Sequence, residues 1–166
     1  MSRAFVKEGT GELEPLPDLP ISAHPNYVTP RGLAALKARL LARQTDLTAL
    51  KARAERLDRL PEAAAERDIR DIEARLRSAI LVEGAEQPLT EVQFGSRVVV
   101  DADGQEQVFE IVGEDEADAA LGRIAPQSPL ARALIGAEVG DSVLWRRPSG
   151  ALELEVLEIG RIPPSA

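Results

Sequence analysis

Leucines spaced three and four residues apart constrain the fold of this chain more than any other feature. The run begins after Thr29-Pro30, a hydroxyl residue followed by proline, which is a favourable start for a helix. Leucines at this spacing share one helix face and occupy heptad positions a and d, with Arg43 at one d position. Pro61 would fall at the next a position, where proline breaks a helix. The pattern predicts a first helix that ends near residues 58–60, with the seam Leu33, Leu36, Leu40, Leu47, Leu50 and Leu57.

A second apolar seam follows at the same spacing. We expect its helix to begin at Pro61, because proline is tolerated in the first turn, and to end before Gly84 and Pro88. Two helices with matching seams and a short turn predict an antiparallel hairpin, which we expect to lean on the rest of the chain at its open end. The second seam is Ala65, Ile69, Ile72, Leu76 and Ala79.

After residue 90 the helical spacing gives way to short runs rich in β-forming residues. Asp103-Gly104 and Ser149-Gly150 are typical of hairpin turns, and Ser128-Pro129 with Gly136 brackets a short helix. The predicted fold class is α+β: an N-terminal antiparallel coiled-coil helical hairpin, then a four-stranded antiparallel sheet domain with one short helix. The predicted strands are 94–100, 107–112, 141–146 and 152–159.

The composition excludes several kinds of chemistry. The 166 residues include no Cys and a single His, His24, so thiol catalysis, disulfides, zinc–cysteine sites and histidine triads are ruled out. No phosphate-binding or nucleophile motif occurs, and we therefore expect no enzyme activity of its own. No apolar run approaches the roughly 18 residues of a membrane span, and no secretory segment opens the chain, so we expect a cytoplasmic protein.

Charge and proline content divide the chain into three predicted parts. Residues 1–27 form a proline-rich arm that we expect to be extended, with His24 in solvent. Residues 28–83 form the hairpin, and residues 84–166 the second domain. Residues 31–82 carry a net charge of +4, whereas residues 83–166 carry −10, which is typical of two units with different electrostatic roles.

Two acidic groups are candidates for cation binding. Residues 113–118 (GEDEAD) lack the spaced ligand register of a calcium loop, and we interpret them as a solvated loop. At the predicted hairpin tip, Asp58 and Glu62 lie four residues apart, and both carboxylates could project from the apex to complete an Mg²⁺ site held elsewhere. Glu62 would equally be favoured at the start of a helix by the helix dipole alone.

Several short segments, in fixed order and spacing, resemble those of one protein family. They are residues 27–32 (YVTPRG), 71–76 (DIEARL), 94–98 (FGSRV), 111–118 (IVGEDEAD), 128–136 (SPLARALIG), 139–141 (VGD) and 148–150 (PSG). This series resembles the bacterial transcript-cleavage factors GreA and GreB, over residues 27–160.

The resemblance implies a fold, a partner and a mode of action. The C-terminal domain would have an FKBP-like fold and dock on the rim of the secondary channel of bacterial RNA polymerase. The hairpin would reach inward, and its acidic tip would help to hold the second Mg²⁺ of the polymerase, which cleaves backtracked RNA. The protein would need no cofactor of its own and would meet nucleic acid only through the elongation complex. The family's docking segment corresponds to Ser128, Pro129, Leu130, Ala131 and Arg132.

The tip departs from the family pattern. The usual acidic pair, three residues apart and followed by an Asn-containing turn, does not occur here. The hairpin is about eight residues per arm shorter, or roughly 12 Å. The main alternative is therefore a Gre-like competitor that binds the channel without stimulating cleavage. A peptidyl-prolyl isomerase is disfavoured because the second domain offers only Phe94, Phe109 and Trp145 for an aromatic pocket. A hairpin-based dimerisation module is the third reading.

Overall fold

The computed structural model describes residues 13–84 and 87–164. The hairpin consists of α1 (Pro30–Lys51) and α2 (Leu60–Ser78). Two short strands, β1 (Tyr27–Val28) and β2 (Ile80–Leu81), pair in parallel across its open end. This pairing, which the sequence did not predict, ties the chain entering the hairpin to the chain leaving it.

The predicted seam holds the two helices together. Leu36 and Ile72 are each 2% exposed and pack with Val28 at the open end of the hairpin. Leu33, Leu40, Leu76 and Ala79 complete this small cluster. Arg43, the polar residue in the seam, forms ion pairs with Asp46 and Asp68. The hairpin therefore combines a thin apolar core with charged contacts on its flanks.

The predicted end of the first helix is wrong. Helix α1 stops at Lys51, so the helical part of this arm is about 10 Å shorter than expected. Helix α2 begins at Leu60, and Lys51 at the end of α1 pairs with Glu66 in the second turn of α2. The residues between the helices form a loop instead of further helix: Arg53 donates to the carbonyl oxygens of Leu50 and Asp58, and Leu57 is 96% exposed.

The strands of the second domain are β3 (Ser96–Ala102), β4 (Gln105–Ile111), β5 (Arg123–Ile124), β6 (Ser142–Arg147) and β7 (Gly150–Arg161). They form one curved sheet with strand order β5-β4-β3-β7-β6. The predicted turn at Asp103-Gly104 joins β3 to β4, whereas the turn between β6 and β7 lies at Pro148-Ser149, one residue earlier than predicted, and Gly150 opens β7. Helix α3 (Pro129–Leu134) starts at the predicted serine cap and packs Leu130 and Leu134 into the core.

The α+β class is confirmed, but the four-stranded sheet is corrected to five strands. Strand β5 adds to β4 in parallel, and it is too short to show a sequence alternation. Gly122 allows this pairing because its φ is +70° and a side chain there would lie 2.4 Å from the Val108 carbonyl oxygen. No helix within the described ranges is long and apolar enough to span a bilayer.

Candidate functional site

The hydroxyl group of Thr29 joins the first turn of α1 to the sheet domain. Its oxygen accepts a hydrogen bond from the Gly32 N–H at 2.9 Å, which caps the helix. The same hydroxyl donates to Oε1 of Glu116 at 2.7 Å. The Glu116 side chain is only 6% exposed, so this contact is shielded from water. The cap of α1 is thereby bonded directly to the second domain.

Arg31 forms the second link between the hairpin and the sheet. Its Nη2 lies 2.5 Å from Oε2 of Glu110 on β4, and its Nε lies 3.4 Å from Oε2 of Glu116. Arg123 also approaches Glu110, at 3.4 Å. Burial disfavours the charge of Arg31, but its hydrogen bonds to the two glutamates outweigh that cost and raise the pKa of Arg31. The guanidinium therefore stays charged and bridges the two units.

Arg75, near the end of α2, makes the third link. Its Nε donates to Oδ2 of Asp115 at 2.7 Å, and its Nη2 donates to Oδ1 of Asn26 at 2.7 Å. Asn26 returns a hydrogen bond from Nδ2 to the Arg75 carbonyl oxygen at 2.8 Å. Both helices of the hairpin are therefore bonded to one acidic loop of the sheet domain. We call this set the base clamp: Thr29, Arg31, Arg75, Glu110, Asp115 and Glu116.

The close approach at the base clamp depends on glycine. A Cβ added to Gly113 would lie 2.3 Å from the backbone oxygen of Tyr27 in β1, a distance that no side chain can occupy. A Cβ on Gly32 would fall 3.2 Å from Oε2 of Glu116. The absence of a side chain at Gly113 thus lets the hairpin base lie against the sheet domain.

The prediction of a solvated acidic loop at residues 113–118 is only partly correct, because Ala117 and Asp118 are exposed but the carboxylates of residues 114–116 bond to other parts of the chain. Asp115 and Glu116 belong to the base clamp, and Glu114 accepts a hydrogen bond from the Ser22 hydroxyl at 2.8 Å. Asp118 accepts from the Ala120 N–H and caps a short 3-10 helix. These carboxylates accept hydrogen bonds from two arginines, two hydroxyl groups and one backbone N–H. The acidic run is a structural junction.

The tip carboxylates are both engaged within the chain. Glu62 is 5% exposed and accepts from Nε and Nη2 of Arg56 at 2.8 and 2.5 Å, with Arg53 at 3.6 Å. The hydrogen bond from Arg56 lowers the pKa of Glu62, so the carboxylate is ionised and paired. Asp58 is exposed, and its Oδ1 accepts from the Leu60 N–H at 2.9 Å. The expectation that both carboxylates project from the apex is therefore wrong for Glu62, which turns inward to Arg56.

No metal ligand set is present in the described ranges 13–84 and 87–164: no three His, Asp or Glu side chains are grouped to hold an ion. The two tip carboxylates would have to join ligands supplied by another molecule. Glu62 would first have to leave Arg56, and that exchange opposes metal binding at the tip.

The predicted docking segment is only partly available to a partner. Leu130 and Ala131 are 4% and 0% exposed and lie in the sheet-domain core. The Ser128 hydroxyl accepts from the Ala131 N–H and caps α3. Only Pro129 and Arg132 of the five are exposed, on the outer side of α3. A partner that binds this segment must therefore contact those two side chains.

The sequence did not predict the base clamp, although the two segments that supply most of it, residues 27–32 and 111–118, both carried the family resemblance. Arg31 lies in one of the segments that carried the family resemblance, and Glu116 lies in another, 85 residues away. Opposite charges in two such segments were the available signal. Nothing in the spacing of either segment predicted that they meet.

Comparison with known proteins identifies relatives of this chain. Residues 87–161 match the family model described as transcription elongation factor, GreA/GreB, C-terminal. The chain is 40% identical to GreA of Pseudomonas aeruginosa over 126 residues, covering 74% of this chain and 80% of that protein. It is 38% identical to GreA of Psychrobacter sp. over 150 residues, covering 80% and 95%.

Other matches are shorter or more distant. The match to GreA of Pseudomonas putida, 43% identical, covers 57% of this chain and spans 61% of that relative's length. Among solved structures, GreA factor homolog 1 of Thermus thermophilus is 21% identical with a TM-score of 0.39, covering 82% of this chain and 99% of that one. The GreA/GreB factor of Nitrosomonas europaea is 22% identical with a TM-score of 0.40, covering 81% and 98%.

The extent and identity of these sequence matches establish the class. The chain belongs to the GreA/GreB family.

Proposed function

We propose that this protein regulates transcription elongation by binding bacterial RNA polymerase at the rim of the secondary channel. The sheet domain would dock on the rim, and the hairpin would extend into the channel. Proteins similar to this chain over most of their length carry the name transcription elongation factor GreA, which supports the proposal.

The observation that carries the proposal is the base clamp. Thr29 and Arg31 bond the start of α1 to Glu110 and Glu116, and Arg75 bonds the end of α2 to Asp115. A domain that docks on a surface can direct a hairpin only if the two are held at a fixed angle. Three buried or half-buried polar links at the base of both helices supply that connection.

We further propose that the hairpin occupies the channel without supplying ligands to the catalytic Mg²⁺ of the polymerase. The carboxylate of Glu62 is held by Arg56, and α1 ends at Lys51. Mg²⁺–oxygen bonds are about 2.0–2.1 Å long, so a carboxylate that is turned away or set back by several ångströms is no ligand. The protein would then compete with cleavage-stimulating relatives for the same site.

Binding and competition can be measured together. Labelled protein is titrated with purified core RNA polymerase, and a GreA factor is then added as competitor. The proposal expects saturable binding that GreA displaces. Binding that GreA leaves unchanged would place the protein elsewhere on the polymerase, and a lack of binding would refute the proposal. A base-clamp variant, Glu116→Ala, should still bind the polymerase, because its docking surface is unchanged. Its hairpin should be held less firmly, because Thr29 and Arg31 lose their contacts with Glu116.

A further inference from the structure

The described part of the N-terminal arm, residues 13–26, lies along the hairpin and contains no helix or strand. Arg70 on α2 donates from Nε to Oδ1 of Asp18 and from Nη2 to the Leu16 carbonyl oxygen, both at 2.7 Å. Further along, the Ser22 hydroxyl reaches Glu114 of the sheet domain. The arm is therefore bonded at one end to the middle of α2 and at the other to the acidic loop.

One side chain of the arm enters the groove between the two helices. Leu19 lines this groove together with residues of both helices, among them two arginines and three aspartates: Arg39, Ala42, Arg43, Asp46, Asp68, Asp71 and Ile72. Ile72 belongs to the buried seam, so the groove that Leu19 lines reaches the edge of the hairpin core. Arg39 makes no ion pair among the described residues, and neither does Asp71, so the groove presents one unpaired charge of each sign.

The arm is held weakly enough to leave. The side chains of Asp18 and Arg70 are 77% and 38% exposed, and ion pairs exposed to solvent contribute little to stability. Leu19 keeps 38% of its surface exposed, and its neighbour Ile21 keeps 82%. Pro15, Pro17 and Pro20 restrict the free arm, which lowers the entropy lost on each return to the hairpin. This combination is typical of a reversible strap.

We propose that residues 13–26 form a strap that competes with RNA polymerase for the Arg39–Arg70 side of the hairpin; this rests on the proposed function. The arm brings the carboxylate of Asp18 to a hairpin segment whose net charge is +4. Asp18 and the Leu16 carbonyl oxygen occupy the guanidinium of Arg70, so the strap must leave before Arg70 can contact the polymerase.

The absence of cysteine from the chain allows a direct test. In the variant Leu19→Cys/Ala42→Cys, a short cleavable bismaleimide should join the arm to α1 across the groove that both residues line. The cross-linked protein is expected to bind core polymerase at least tenfold more weakly, and cleaving the linker should restore the affinity. Each single cysteine variant, treated in the same way, should bind as the untreated protein does.

A second pair of variants tests release rather than locking. Asp18→Arg removes the contact with Arg70 and should tighten polymerase binding severalfold. Glu14→Arg changes the arm charge equally but breaks no ion pair among the described residues, and it should have the smaller effect. Absence of cross-linking would overturn the docked strap, and equal binding of linked and cleaved forms would overturn the competition. If no form binds polymerase while cross-linking succeeds, the proposed function and the competition fail, and only the docked arm stands.

Discussion

Arg56 holds Glu62 in a two-point ion pair at the hairpin tip, with Nε 2.8 Å from Oε1 and Nη2 2.5 Å from Oε2. The planar guanidinium matches both carboxylate oxygens, which is the strongest geometry for such a pair. Arg53 closes the same turn by donating to the carbonyl oxygens of Leu50 and Asp58. The tip is thus a self-bonded loop, and its buried carboxylate is committed to an arginine.

The pairing of Glu62 predicts a pH-dependent contribution to stability. Because the hydrogen bond from Arg56 lowers the folded pKa of Glu62, the carboxylate stabilises the protein at neutral pH. That contribution is lost as pH falls below the unfolded value of about 4.3 and through the lower folded pKa. Glu62→Gln should therefore lower the melting temperature at pH 7 and have little effect near pH 2.5.

Thermal unfolding followed by circular dichroism at the two pH values checks this prediction. Glu73→Gln is the matched control, since Glu73 lies on the same helix and makes no ion pair among the described residues. An equal loss of stability at both pH values for Glu62→Gln would contradict the ion-pair account.

Gly113 should tolerate no side chain. Gly113→Ala would place Cβ 2.3 Å from the Tyr27 carbonyl oxygen, so β1 must move away from the sheet domain. We expect a loss of about 1–3 kcal/mol in the free energy of unfolding, measured by denaturant titration. Gly160→Ala is the control, because nothing lies within 4 Å of its Cβ and its φ is not positive. Similar losses for both variants would show that the close approach at Gly113 is unimportant.

Removing Arg31 should break the base clamp. Arg31→Ala leaves Glu110 and Glu116 half-buried with fewer partners, and we expect a loss of about 1–3 kcal/mol in the free energy of unfolding. Arg77→Ala, at an exposed position of α2 without an ion pair in the described ranges, should change it by less than about 0.5 kcal/mol. A loss for Arg31→Ala no larger than that of the control would argue against the clamp.

Two neighbouring substitutions at the start of α3 should have different effects, one on polymerase binding and the other on stability. Pro129→Asp is expected to weaken polymerase binding about tenfold and leave the melting temperature unchanged, because the residue is exposed and an acidic side chain suits a first turn. Leu130→Ala should instead lower the free energy of unfolding by about 2–5 kcal/mol, because Leu130 is buried in the core. Unchanged affinity of Pro129→Asp in an anisotropy titration would remove this segment from the interface.

Periodicity predicted the parts of the fold that depend on local spacing. Leu36 and Ile72 lie in the buried seam, and Ser128 caps α3, as the sequence indicated. Helix α1 ends before the heptad pattern does, because Arg53 and Arg56 bond within a loop that the pattern could not show. The two-residue strands carry too few residues for any alternation to appear.

The candidate site was harder to predict because its contacts join distant segments. Arg31 meets Glu116 across 85 residues, and their pairing depends on how the hairpin lies against the sheet. The inward turn of Glu62 depends on the path of the loop that brings Arg56 to it. Docking by residues 128–132 and the likeness to FKBP stay predictions.

We propose that the hairpin tip supplies no ligand to the catalytic metal of the polymerase. The decisive measurement is RNA cleavage in a purified, backtracked elongation complex, with wild-type protein, Asp58→Ala/Glu62→Ala, and GreA of Pseudomonas aeruginosa as the reference factor. We predict that wild type and the double variant bind equally and leave the cleavage rate at its factor-free value. If wild type instead accelerates cleavage tenfold or more, which is about 1.4 kcal/mol of barrier, and the double variant loses that acceleration, Asp58 and Glu62 are metal-assisting carboxylates and the claim is wrong.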